Sequence, residues 1–254
     1  MDKKSPLKAK PLRQAGQSVD EAIQRVLNDD VSLILMYPAF LLLIAGLEWL
    51  RWWQDYPPQP IGFTVIFLLA LLWAGRRLWT VKKRIRQLRL GRDGERAVGE
   101  FLERLRAQGA VIYHDVLGDG FNLDHVVICP QGIYVIETKT YSKPAKGEAK
   151  IRFDGSSLTL NHQSIGDAIL IQARAEAYWL QQLLVEAVGK KLPVRAVVLF
   201  PGWYIEHTGA ARQSDVWVLN PKALPTYIQN TPHSLTLEQL KTLNFNLSRH
   251  VRSS

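Results

Sequence analysis

The sequence predicts an α/β domain, a sandwich around a mixed sheet, preceded by a two-helix transmembrane hairpin. Two apolar runs with basic flanks, residues 31–50 and 61–75, predict the hairpin. From about residue 91, short apolar runs alternate with turn residues in the order α-β-β-β-α-β, which is typical of an α/β sandwich.

The first apolar run, residues 31–50, has one charged residue, Glu48, in twenty positions and is long enough to span a bilayer. The second run, 61–75, has fifteen residues, so the crossing has to continue to about Trp79 with help from basic side chains that reach the headgroups. The link 51–60 contains three prolines and is too short for a domain. We therefore expect a helical hairpin over residues 31–80.

Basic residues on both outer flanks predict the orientation of the hairpin. Residues 76–92 carry eight basic side chains and no acid, residues 1–13 carry five basic side chains, and the link carries Arg51 alone. By the positive-inside rule both termini are expected in the cytoplasm, which predicts a multi-pass protein of the inner (cytoplasmic) membrane. The lipid bilayer is then a partner, and the hairpin offers a surface for a homo-oligomer.

Two alternatives to a membrane hairpin stay open. A cleaved signal peptide would lie unusually deep in the chain, behind the acids Asp20, Glu21, Asp29 and Asp30. A buried hairpin of a soluble protein would leave unexplained why five of the eight tryptophans stand at the ends of the two runs, as at a membrane interface.

The composition excludes several classes. With 47% hydrophobic residues the chain can build a core, and the single cysteine, Cys129, excludes a disulfide framework and a thiolate zinc cluster. The net charge of +9 suggests a polyanionic partner, but eight of these charges lie in residues 76–92, where membrane topology explains them first.

The predicted domain organisation and elements can be given by residue number. The segments are 1–30 with a short amphipathic helix, 31–80 as the hairpin, 81–92 as a basic juxtamembrane linker, 93–222 as the α/β domain and 223–254 as a C-terminal extension. The elements are a helix over 93–108, strands near 111–116, 123–129 and 133–139, a polar hairpin over 152–160, a helix over 165–188, and strands over 194–200 and 216–219.

The segment 122–139, NLDHVVICPQGIYVIETK, is the most informative. If residues 130–131 form the loop of a hairpin, Asp124 lies opposite Glu137. Side chains alternate along a strand, so Glu137 and Lys139 share a face. Two carboxylates and an ammonium would then converge. A three-residue loop with a bulge would turn Asp124 to the other face, and the sequence leaves this register open.

Carboxylates on apolar strands need a partner, because a buried unpaired charge is costly. Hard oxygen ligands at this density suit Mg²⁺ or Mn²⁺, and a nearby lysine can orient the attacking water, a combination that suits phosphodiester hydrolysis. A structural Asp/Glu–Lys ion pair at the sheet edge is the alternative.

Four segments of the chain, in order, resemble one family. GRDGERAVGEFL, NLDHVVICPQGIYVIETKTY, IQARAEAYWLQQLL and VRAVVLFPG are similar to the nuclease-related domain, NERD, a branch of the PD-(D/E)xK superfamily. The resemblance covers about residues 91–200. It implies a restriction-endonuclease-like αβββαβ core with a mixed sheet.

The resemblance also implies a site. Asp124 matches the acid of the second strand, Glu137 and Lys139 match the E-x-K pair, Glu95 matches the acid of the GxxGE start, and Gln172 matches the glutamine of the following helix. Asp124, Glu137 and Glu95 would hold Mg²⁺ or Mn²⁺, Lys139 would orient or activate a water, and Gln172 would orient a phosphate or water.

Apart from the resemblance, the sequence itself gives more support to Glu95 than to Gln172 as a site residue. Glu95 lies on the same helical face as Val98 and Leu102, so it points with the apolar stripe, although a carboxylate favoured by a helix start explains it as well. Gln172 lies on a helix that is apolar nearly all round, where a core amide is an equal interpretation.

Three further features bear on the substrate. The basic residues Lys143, Lys146, Lys150 and Arg152 follow the E-x-K strand and would either track a phosphate backbone or form a solvated loop. The pair Trp203 and Tyr204 would either stack a base or cap the sheet. The six histidines show no paired ligand spacing.

These observations predict a membrane-anchored, divalent-metal-dependent nuclease that hydrolyses phosphodiester bonds, with DNA preferred to RNA as the nucleic-acid partner. The alternative is a non-catalytic, membrane-tethered module on the same fold that binds nucleic acid or protein.

Overall fold

In the computed structural model, the chain forms two compact units. One unit is Val19–Leu90, and the other joins Met1–Ser18 with Gly91–Ser254. The structure describes residues 12–54, 60–143, 149–160, 163–165 and 167–253.

The first unit is helical. It contains helix α1 (Gln17–Arg25) from its third residue onward, a π-helical turn (Val26–Val31), helix α2 (Ser32–Trp53) and the first part of helix α3 (Pro60–Arg106). Both Gln17–Trp53 and Pro60–Arg106 contain a stretch long and apolar enough to cross a membrane, and little of either stretch is buried inside the protein. The two helices are compatible with a membrane hairpin. Half of the predicted link, residues 55–59, lies outside the described residues.

Helix α3 differs from the prediction at its start. We predicted a helix beginning at Asp93 after a linker, which was wrong, because α3 runs from Pro60 to Arg106 without a break. The residues between 81 and 92 are mostly Lys, Arg, Gln and Leu, which favour a helix, and no proline interrupts them.

The second unit is an α/β domain. Its strands are β1 (Val111–Leu117), β2 (Asn122–Cys129), β3 (Gly132–Thr138), β4 (Lys150–Phe153), β5 (Leu158–Leu160), β6 (Gln163–Ser164), β7 (Val194–Leu199), β8 (Tyr204–His207) and β9 (Val216–Leu219). Its helices after α3 are α4 (Ala168–Val188), α5 (Leu224–Gln229) and α6 (Leu237–Ser253), with 3₁₀ turns at Gly209–Gln213 and Pro221–Ala223.

The central sheet has the order β1-β2-β3-β7-β9. The pairs β1–β2 and β2–β3 are antiparallel, whereas β3–β7 and β7–β9 are parallel. The predicted α/β fold with a mixed sheet is therefore confirmed. A smaller second sheet has the order β6-β5-β4-β8, of which β6 and β8 were not predicted.

The two faces of the central sheet bury separate clusters, because alternate side chains of a strand point to opposite faces. Ile133 and Val135 of β3 pack with α4 and α6, while Tyr134 and Ile136 pack with α3 and α5. Residues 223–254, treated above as an extension, supply α5 and α6 and so belong to this core. The C-terminal end of β3 lies between α3 and α4. The site described below lies at this end of the strand.

A short segment before the first apolar helix also belongs to this unit. Arg13 Nε donates to Asp115 Oδ2 at 2.5 Å, and the backbone N–H of Ser18 donates to the same oxygen at 3.0 Å. Asn122 Nδ2 donates to the other oxygen of Asp115 at 3.0 Å. Asp115 is fully buried in β1, and its backbone has a φ of +51°, an unfavourable value for a residue other than glycine. These bonds offset the cost of burying this carboxylate.

We predict that Arg13→Ala lowers the free energy of unfolding by about 3 kcal/mol, because it leaves the Asp115 charge buried without its guanidinium. Arg174→Ala is the matched control, since it breaks an exposed pair with Asp215 and should cost at most about 1 kcal/mol. The measurement is urea unfolding of the full chain in detergent micelles. Equal effects of the two substitutions would contradict this account of the N-terminal segment.

Candidate active site

The hairpin between β2 and β3 turns through two residues, 130 and 131, so that Cys129 pairs with Gly132. The register continues along the pair without a bulge. One position beyond the last backbone pair, it brings Asp124 opposite Glu137. The three-residue loop left open by the sequence does not occur.

The Asp124 carboxylate is held on the backbone of the neighbouring strand. Its Oδ2 accepts a hydrogen bond of 2.7 Å from the N–H of Thr138, the residue that follows Glu137. The side chain is buried, and burial raises the pKa of Asp124 well above its ordinary range, with further increases from the charges of Glu137 and Glu95. Asp124 therefore faces two other carboxylates in a site with little solvent.

Glu137, Lys139 and Gln172 form a closed hydrogen-bonded set. Lys139 Nζ lies 2.5 Å from Glu137 Oε1 and donates to Gln172 Oε1 at 3.0 Å. Gln172 Nε2 in turn donates to Glu137 Oε1 at 3.1 Å. Burial alone would lower the pKa of the Lys139 ammonium, but the carboxylates around it, Glu137 foremost, outweigh burial and raise that pKa. The structure thus brings together the E-x-K pair and the glutamine of α4.

Glu95 reaches the same cluster from α3, on the other face of the sheet. It is buried, as expected from the apolar stripe that it shares with Val98 and Leu102. The preceding residue, Gly94, allows α3 to approach the chain after β3: a Cβ built there would lie 1.8 Å from Thr140 Oγ1. A glycine at this position therefore sets the distance at which Glu95 meets the sheet.

Glu176 is a fourth carboxylate, which the sequence reasoning missed. It is buried on α4, one turn after Gln172, and accepts from Gln172 Nε2 at 2.7 Å. Burial, with the neighbouring Glu137 charge, raises the pKa of Glu176 to about 8. The available signal was an acid four residues after Gln172, because that spacing puts two side chains on one helical face.

The cluster holds more negative charge than its lysine can balance. Glu137 Oε2 and Glu176 Oε2 are buried and accept no hydrogen bond from any residue that the structure describes, a costly state that a bound proton or cation would relieve. Among the described residues, no three His, Cys, Asp or Glu side chains already form a metal-chelating group. The donor set of hard carboxylate oxygens nevertheless fits Mg²⁺ or Mn²⁺.

Two histidines lie together elsewhere, although their spacing gave no sign of it. His114 of β1 and His125 of β2 pair across the strands, with 2.9 Å between their Nδ1 atoms. His114 Nε2 lies 2.9 Å from Glu103 Oε1. Burial, followed by the charge of His114, lowers the pKa of His125 well below its ordinary value. His125 is thus a core residue of β2 that packs against His114.

The basic and aromatic residues predicted near the substrate divide into two groups. Lys150 and Arg152 form ion pairs with Glu206 of β8, and Lys146 lies outside the described residues. Trp203 is buried and donates from Nε1 to the Tyr141 carbonyl at 3.3 Å, so it packs in the core. Lys143 and Tyr204, in contrast, are exposed.

The comparison with protein families agrees with this geometry. The family model of the nuclease-related domain, NERD, matches residues 90–201, a range that begins at the last residue of the first unit and ends just after β7. All five residues of the predicted site, and Glu176, fall inside the match. No curated protein and no solved structure matches the chain.

We predict that Glu176 gives the metal-free protein a contribution to stability that is lost as the pH rises from about 4.5 to about 8. Glu176 has a pKa of about 8 when folded, against an ordinary value of 4.5, so in this window the folded state holds a proton that the unfolded chain releases. Glu176→Gln should make the slope of unfolding free energy against pH shallower, by at most about 1.4 kcal/mol per pH unit.

The slope is measured by urea unfolding in EDTA at a series of pH values. Glu186→Gln, a change of an exposed acid on the same helix, is the control and should leave the slope as in the wild type. An unchanged slope in Glu176→Gln would show that Glu176 is ionised in the folded protein.

Proposed function

We propose that the protein is a membrane-anchored, divalent-metal-dependent nuclease that hydrolyses phosphodiester bonds, because residues 90–201 match the family model of the nuclease-related domain. The observation that carries the proposal is the convergence of Asp124, Glu137 and Lys139 at one end of the central sheet. A buried acidic pair can hold a metal that assists hydrolysis of a phosphodiester, and an adjacent ammonium can orient the attacking water.

Asp124 and Glu137 are the proposed metal ligands, with Glu95 assisting from α3. When bound there, Mg²⁺ or Mn²⁺ would polarise a phosphoryl oxygen and lower the pKa of a bound water. The support for this ligand set is its chemistry, because it consists of carboxylate oxygens in a site with little solvent.

Lys139 and Gln172 are proposed to position the reacting groups. The Lys139 ammonium can direct its three N–H donors toward a water or a phosphate oxygen, and its bonds to Glu137 and Gln172 fix its location. The amide of Gln172 links Lys139 to both glutamates, since it also donates to Glu137 and Glu176. A lysine held in this way provides a preorganised positive charge where negative charge develops during hydrolysis.

The membrane anchor is proposed from the two apolar helices. Their large side chains are exposed along α2 and the first part of α3, which is costly in water and favourable in lipid. The bonds from Arg13 and Ser18 to Asp115 join the segment before the first apolar helix to the domain after the second. This contact supports a hairpin whose two ends lie on one side of the bilayer, and the basic flanks favour the cytoplasmic side.

Nucleic acid is the partner that a nuclease-related domain indicates, and DNA is the proposed substrate. RNA is the second candidate. The groups in the cluster recognise a phosphodiester without reading the sugar, so an RNA phosphodiester fits them as well. A homo-oligomer through the hairpin stays a prediction from the sequence.

The test is a cleavage assay of the full chain in detergent micelles. We expect Mg²⁺- or Mn²⁺-dependent cleavage on at least one of linear DNA, circular DNA, single-stranded DNA and RNA. Glu137→Gln and Lys139→Ala should each lower the rate by at least about 100-fold, since each removes charge at the reacting centre.

Glu100→Gln and Lys190→Ala remove exposed charges of the same kinds and should cleave as the wild type does. Circular dichroism of the two site variants checks that they are folded. Cleavage that survives Lys139→Ala would refute the site, and a folded wild type that cleaves none of the four substrates would leave the non-catalytic binding module as the function.

A further inference from the structure

We propose that an open groove beside the cluster binds unpaired nucleotides of the substrate, with a base stacked on Tyr204. The groove, called here the aromatic groove, is lined by Lys143, Trp203, Tyr204, Tyr227 and Lys222, among others. This inference rests on the proposed nuclease function and names the form of nucleic acid that the site takes.

The groove has the size and surface of a base-binding site. Its volume is about 710 Å³. Trp203 is buried beneath it, whereas the Tyr204 side chain is 67% exposed although it stands at the start of a strand. An exposed aromatic face above an apolar floor can stack a base of any sequence.

Two lysines give the groove a positive charge. Lys143 reaches over Gly202, where a Cβ built on the glycine would lie 3.2 Å from its Nζ, and Gly202 has a φ of +79° that favours glycine. Within the part of the chain that the structure describes, neither Lys143 nor Lys222 forms an ion pair. Both lysines line the groove, where their charges can attract phosphates, in contrast to Lys150 and Arg152, which form ion pairs with Glu206.

The groove follows the candidate active site closely along the chain. Lys143 follows Lys139 by four residues, so their Cα atoms are at most about 14 Å apart. The chain after β3 runs beside the end of β7, because the Lys139 N–H donates to the Leu199 carbonyl at 2.9 Å and Tyr141 stacks on Phe200 at 6.0 Å. At about 3.4 Å per stacked nucleotide, a strand leaving the cluster would reach the groove within roughly four nucleotides.

A groove of this kind favours single strands over duplexes. The bases of a duplex stack on one another and present only their edges, whereas an unpaired base offers a face to Tyr204. The lysines, in contrast, would attract the phosphates of either form. The aromatic ring is therefore the part of the groove that selects for unpaired nucleotides.

The test is equilibrium binding of a fluorescently labelled oligothymidylate of about 20 nucleotides to the full chain in detergent micelles, in EDTA so that no metal supports turnover. Tyr204→Ala should weaken binding by roughly 5- to 150-fold, the range for loss of one stacked base. Tyr204→Phe keeps the ring and should bind as the wild type does. Tyr178→Ala, which removes an equally accessible tyrosine of α4, is the matched control.

A duplex of the same length should bind equally to wild type and Tyr204→Ala, and an oligouridylate should lose as much affinity as the oligothymidylate. Unchanged single-strand binding in Tyr204→Ala, or an equal loss in Tyr178→Ala, would overturn the proposal. Binding through Tyr204 without metal-dependent cleavage would refute the nuclease function and keep the groove. Metal-dependent cleavage, combined with single-strand binding that does not depend on Tyr204, would keep the nuclease function and refute the groove.

Discussion

Four carboxylates buried with one lysine at the end of the central sheet set the constraint that the rest of the domain has to meet. Glu95, Asp124, Glu137 and Glu176 are each almost fully shielded from water, and Lys139 brings an ammonium to within 2.5 Å of Glu137 Oε1. Ionised carboxylates at such a place are unstable unless a proton, a hydrogen bond or a cation compensates them. Without metal, Glu176 can keep a proton because its pKa is raised, and Asp124 accepts a hydrogen bond from the backbone N–H of Thr138. A divalent cation would supply the third.

Three parts of the fold hold these carboxylates close together although their negative charges repel one another. The β2–β3 hairpin fixes Asp124 opposite Glu137 through its two-residue loop. Helix α3 delivers Glu95 from one face of the sheet, at a distance that Gly94 permits, and α4 delivers Gln172 and Glu176 from the other. Because α3 and α4 each pack a hydrophobic cluster against the sheet, the energy that keeps the carboxylates close comes from burial of apolar surface. A site built on packed strands and helices in this way is rigid, as electrostatic stabilisation of a reaction requires.

The sequence was sufficient for the features that depend on local periodicity. Strand alternation put Glu137 and Lys139 on one face of the sheet, and a helical stripe put Glu95 toward the core. The sequence left open whether Asp124 lies opposite Glu137, because that register depends on the length of the hairpin loop, which the structure shows to be two residues. Features that depend on distant contacts could not be found in this way. Arg13 and Asp115 are 102 positions apart, and His114 meets His125 only through strand pairing. Glu176 was missed because it lies on a helix that is apolar nearly all round, where periodicity does not separate a buried acid from an exposed one. The continuous α3 was missed because a change in composition was taken for a change in structure.

We propose that this acidic cluster binds a divalent cation, and the decisive measurement is calorimetric titration of Mn²⁺ and Mg²⁺ into the full chain in detergent. The account predicts saturable binding to the wild type with release of protons, seen as a heat that depends on the buffer, because carboxyls that hold protons must lose them to bind metal. Asp124→Asn, which keeps the shape of the side chain and removes its charge, should abolish or greatly weaken that binding. A wild type that binds neither ion, or an Asp124→Asn protein that binds as the wild type does, would contradict the account.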